Sequence, residues 1–117
     1  MLFVFVFSFI HISLLASFSD DDVLHINPYY KLKRMSNGEV IIYAQNQQPS
    51  ESDFSFRDFY ADLLMAAYRN QRMEFIVKTF SEKYMYTEDE CRRELKHALN
   101  VLSEWNIILL DKETASR

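Results

Sequence analysis

The only glycine of this 117-residue chain stands in "MSNGEV" (Met35 to Val40). Asn37-Gly38 lies between two β-prone runs, "YYKLKR" (Tyr29 to Arg34) and "EVIIYA" (Glu39 to Ala44). Asn-Gly in that setting is the strongest short-range hairpin signal, because both residues tolerate the positive φ of a type I′ turn. The pair predicts a hairpin early in the chain. Nearly everything after residue 55 reads as helix. The fold must therefore place a hairpin before helices.

Beyond the hairpin, "QNQQPSESD" (residues 45–53) is polar and contains Pro49, which predicts a solvated loop. "FSF" (Phe54 to Phe56) alternates apolar and polar and predicts a short third strand. Helical spacing of Tyr60, Leu63, Leu64 and Ala67 predicts a first helix from about Arg57 to Tyr68, with Ser55 or Asp58 as its cap. A second helix is predicted from Met73 to Tyr84. Thr87 and Glu90 form a capping box that starts the third helix. Its apolar stripe is Cys91, Leu95, Ala98, Leu102 and Trp105, spaced 4, 3, 4, 3. Asn106 stands where a left-handed cap is needed. "IILL" (Ile107 to Leu110) returns as a short extended run. Residues 20–28, "DDDVLHINP", read as a polar lead-in, with Pro28 pushing Asn27 toward extended geometry. The expected fold is α+β and winged-helix-like: a three-stranded antiparallel sheet followed by three helices, over residues 20–110 with a tail at 111–117.

Composition narrows the function. Apolar residues make up 49% of the chain, enough for a packed core. The net charge of −4 owes three acids to Asp20, Asp21 and Asp22, so residues 23–117 carry 13 bases against 14 acids. A domain so near neutrality lacks the positive field of a nucleic-acid binder. The bases of the third helix, Arg92, Arg93, Lys96 and His97, are interleaved with Glu88, Asp89, Glu90 and Glu94, which repel phosphates. A winged-helix DNA-binding regulator is kept only as the alternative reading. A single cysteine and three scattered histidines argue against a disulfide or a metal site. One glycine cannot build a phosphate loop, and no nucleophile stands in a recognisable motif. The expectation is a protein that is not an enzyme and holds no cofactor. Residues 1–19, "MLFVFVFSFIHISLLASFS", carry no charge and read as an anchor, a signal or a start assigned too far upstream. Those alternatives stay open beside an expected cytoplasmic location.

If the third strand lies at a sheet edge, its unpaired N–H and C=O groups can take an added strand. "INPYYKLKRMSNGEVIIYA", "FSFRDFYADLLMAAY", "RMEFIVKTFSEKY" and "ECRRELKHALNVLSEWNII" together resemble the PqqD-like family, small winged-helix domains also called RiPP recognition elements. The resemblance spans about residues 23–110. The chain departs from it at Tyr68-Arg69, where the family usually has Asp-Gly, and at Asn106, where it usually has Gly. The resemblance implies a peptide chaperone without catalysis. Such a domain binds the leader of a ribosomally made precursor peptide as an extra strand, in a groove against the third helix. It presents that peptide to a modifying enzyme, often a radical SAM protein. On this chain the strand is Asp53, Phe54, Ser55 and Phe56. The expected helical flank is Arg92, Lys96 and Leu99, with the two cations holding acidic leader residues.

Overall fold

The computed structural model describes residues 18–50 and 53–112. The order of elements is β1 (Val23–Ile26), β2 (Tyr30–Arg34), β3 (Val40–Ala44), β4 (Phe54–Phe56), α1 (Asp58–Tyr68), α2 (Met73–Tyr84), α3 (Glu88–Glu104) and β5 (Ile108–Asp111). The architecture is α+β, with an antiparallel sheet in the order β2-β3-β4 and three helices behind it. No helix among the described residues is long and apolar enough to cross a membrane. The apolar lead, apart from Phe18 and Ser19, and residues 113–117 of the tail lie outside the described residues.

The hairpin forms where Asn37-Gly38 predicts it, but with a different turn. Gly38 N donates to Met35 O (3.0 Å) and Met35 N to Glu39 O (2.7 Å). Within the loop Gly38 has positive φ, at 92°, and Asn37 does not. A type I′ turn needs both. The loop is instead the three-residue kind, in which a left-handed glycine follows the turn. The reason lies in the Asn37 side chain. Its Oδ1 accepts from Glu39 N (3.0 Å) and its Nδ2 donates to Glu39 Oε1 (2.7 Å), so Asn37 is used as a local clamp.

The three helices bury one stripe each in a core that they share with β1, β3 and β5. Met73, Ile76 and Phe80 of α2 meet Cys91, Leu95, Ala98, Leu99 and Leu102 of α3, with Val40 and Ile42 of β3 beneath. Each fully buried leucine here contributes about 1.5–3 kcal/mol. All three helices end alike. Asn70, Met85 and Asn106 take φ values of 56°, 57° and 57°. The residue after each donates back five positions: Gln71 N to Ala66 O, Tyr86 N to Ser81 O and Ile107 N to Leu102 O. These are Schellman closures that use no glycine. The capping box of α3 forms as its sequence predicts, with Glu90 N on Thr87 Oγ1 (3.1 Å) and Thr87 N on Glu90 Oε1 (2.8 Å). The cap expected for α1 does not form. Arg57 is the N-cap and makes no side-chain cap bond, Asp58 enters the helix at φ 54°, and Ser55 bonds elsewhere.

The segment expected as a polar lead-in is structured. Its residues Val23–Ile26 form β1, paired antiparallel with β5 in a second sheet, and Leu24 is fully buried. Asp111, placed by sequence in the tail, belongs to β5. The first N–H groups of α2 have no side-chain cap. They donate instead to this segment, Met73 N to Asp22 O (2.8 Å) and Glu74 N to Asp20 O (3.0 Å). Each acid of the triple-Asp run has a cation: Asp20 has Arg92 (2.7 Å), Asp21 has Arg72 (3.9 Å) and Asp22 has Lys112 (2.8 Å). What reads as a solvated acidic run is a clasp across α2, α3 and the chain after β5.

Candidate functional site

β4 closes one side of the three-stranded sheet, and among the described residues no strand pairs with its outer edge. Hydrogen-bond parity says which groups it offers. Met35–Glu39 and Tyr29–Gln45 are bonded across the hairpin, so Lys33–Ile41 and Lys31–Tyr43 are the bonded pairs between them. Val40 and Ile42 therefore turn their peptide groups toward β4, where they face Phe56 and Phe54. Ser55, opposite Ile41, is left with its N–H and C=O directed outward. Its side chain lies on the solvent face and donates to Glu39 Oε2 (3.0 Å). Arg57 Nε reaches the same oxygen at 3.0 Å. Those bonds, with Asn37, hold the Glu39 carboxyl below the usual glutamate range, the Asn37 bond contributing most. They tie the hairpin tip to the exit of β4.

Phe54 and Phe56 share the inner face with Ile42 and Val40. Phe54 is 46% exposed and meets the ring of Trp105 edge to face at 4.8 Å. Phe56 lies 6.2 Å from Tyr60. Burial, and after it the nearby Glu94 carboxylate, pushes the Tyr60 phenol up. These neighbours orient α3. Trp105 stands beside the start of β4, and Glu94 lies toward its end. At about 100° per residue, Glu94, Val101 and Trp105 fall on one line of the helix. That line is the flank of α3 on the Phe54 side of β4, and the space between the two is the candidate groove.

The strand residues Asp53, Phe54, Ser55 and Phe56 lie where the sequence places them; Asp53 closes a turn with Ser50 just before β4. The helical flank differs. Leu99 is 2% exposed and belongs to the core, so it gives the groove no apolar contact. Arg92 and Lys96 lie across the buried stripe from Glu94 and Trp105. Arg92 is held by Asp20 (2.7 Å) and Glu88 (3.0 Å), and its guanidinium covers the Phe18 ring at 5.9 Å. Lys96, Arg93 and Phe18 line a shallow hollow with it on that far side. Trp105 was expected to close the core stripe, yet it is 52% exposed. It sits at the C-cap, on the margin of the stripe nearest β4, where the left-handed Asn106 ends the helix before the ring can be covered. A tryptophan at the last position of an apolar stripe, directly before an Asn cap, was the available signal for this role.

A second cleft, of about 350 Å3, runs between the hairpin tip and the helices α1 and α2, lined by Arg34, Asp62, Arg69, Phe75 and Lys83 among others. Its acid is engaged: Asp62 accepts from Lys83 Nζ (2.5 Å) and from the Tyr84 hydroxyl, whose proton is held more tightly through burial and that bond. Cys91 is buried, and burial raises its thiol. No group of three or more His, Cys, Asp or Glu among the described residues is arranged to hold a metal ion. No family model, no curated protein and no solved structure matches the chain.

Proposed function

We propose that this protein is a non-catalytic adaptor that binds a peptide as an added strand on β4. In line with the PqqD-like resemblance, the peptide is the leader of a ribosomally made precursor. The adaptor then presents it in the cytoplasm to a modifying enzyme such as a radical SAM protein. The observation that carries the reading is the open edge at Ser55 beneath a half-exposed Phe54–Trp105 pair. Exposed aromatic rings beside unpaired main-chain groups are what strand addition uses: main-chain bonds hold the peptide and side-chain pockets select it. β4 is only three residues long, and one of them faces outward. Two main-chain bonds contribute about 0.5–1.5 kcal/mol each. The aromatic pair must supply much of the remaining affinity, as buried aromatic anchors do at peptide and protein interfaces.

The test is selection of a displayed random-peptide library against the full chain, followed by amide-shift mapping of the selected peptides by NMR. Shifts are expected at Ser55 and in α3 from Glu94 to Trp105. Peptides that shift only Arg34, Asp62 and Lys83, in the other cleft, contradict the reading. So does a selection that yields no binder.

A further inference from the structure

The charge along the groove states what kind of peptide it takes. We infer that the occupant is apolar at one end, where it meets Phe54 and Trp105, and basic along the rest. The inference rests on the strand-addition reading and reverses the acidic partner that Arg92 and Lys96 suggested.

The groove wall of α3 carries Glu94, with Glu104 exposed beside Trp105. Neither makes an ion pair among the described residues. Glu90, on the same side, is committed to the capping box through its bond from Thr87 N. Arg57, the base nearest β4, is occupied by Glu39 at 3.0 Å. Arg92 and Lys96 face away, behind the buried stripe. The uncompensated charge beside the open edge is therefore negative. A lysine or arginine on an added strand finds a carboxylate without displacing an existing partner. An aspartate or glutamate finds like charge, which costs affinity and rejects the wrong partner. At the Trp105 end the wall is aromatic and half exposed, so an apolar side chain there covers both rings.

Trp105 is the only tryptophan of the chain, so its fluorescence reads occupancy of the groove directly. The probes are two synthetic peptides of alternating valine and threonine with a leucine at one end. One carries lysines at alternate positions and the other glutamates, and neither contains an aromatic residue. Titrated against the full chain, the lysine peptide is expected to bind about tenfold tighter, with an advantage that shrinks as salt is added. Glu94→Lys with Glu104→Lys is expected to invert the preference, and Lys96→Glu, on the far face, to leave it unchanged. Melting curves of each variant check that it is folded. A glutamate peptide that binds equally or tighter overturns the inference and leaves strand addition standing. So does a preference that follows Lys96. If neither peptide moves the Trp105 signal nor the Ser55 amide, the strand-addition reading falls, and this inference falls with it.

Discussion

At Gly38 a Cβ would meet no atom within 4 Å, so a larger residue there is not crowded. It is strained, because φ is 92°. Gly38→Val is expected to destabilise the fold by about 1–3 kcal/mol, read as a lower thermal midpoint. A midpoint equal to wild type would mean that the loop can close without a left-handed residue. Asp22 is the other residue with a large individual effect. It is fully buried, and it accepts from Ser19 N (2.8 Å), Ser19 Oγ (3.0 Å) and Lys112 Nζ (2.8 Å). Burial alone would raise its pKa, but the Lys112 and Ser19 bonds together outweigh it and hold the carboxyl below its ordinary 3.8. A depressed carboxyl contributes stability above its unfolded value and loses it as pH falls through the folded one. Asp22→Ala is expected to cost about 1–3 kcal/mol near neutral pH. In urea melts the gap between variant and wild type should narrow below about pH 4. A gap that stays constant to pH 3 would contradict the ionised clasp.

The helices show how much of the fold is legible in local chemistry. Thr87 and Glu90 announce the start of α3, and Asn106 its end, because caps are made by residues adjacent in sequence. β1 is not legible in the same way. "VLHI" is four residues between acids and a proline, and its partner is β5 at the other end of the chain, so no local pattern carries the pairing. The turn type escaped for a similar reason: Asn37 suits two turns, and the Glu39 carboxylate decides between them. Of the three closures, the end of α2 is the one made by neither Gly nor Asn. Met85 takes φ 57° and is 89% exposed, so it accepts the backbone strain with little packing in return. Met85→Gly is expected to raise stability by about 0.5–1 kcal/mol, checked by chemical denaturation. A loss of stability would mean that the methionine side chain contributes a contact that outweighs the relief of strain.

For the molecule as a whole, half of the candidate site was readable before the structure. The "FSF" strand could be placed because alternation marks it, whereas its position at the edge is set by pairing with β3 and was left open by the sequence. The helical wall could not, because which flank of α3 meets β4 depends on how the helix is rolled, and neighbours distant in sequence set that roll. The buried stripe stays the same whichever flank meets the edge. Phe54 on Trp105, and Glu94 near Tyr60, fix the roll. The central claim is that main-chain pairing at Ser55 holds a peptide, and Ser55→Pro tests it. The Ser55 N–H points outward and makes no ladder bond, so proline is tolerated there as it is on edge strands. The measurement is the affinity of a library-selected peptide for the Ser55→Pro chain against wild type, by Trp105 fluorescence, on protein whose melting curve matches wild type to within a few degrees. The account predicts a loss of about tenfold or more, since the outward donor is removed and the ring fills the place of the added strand. An affinity equal to wild type would contradict strand addition on β4.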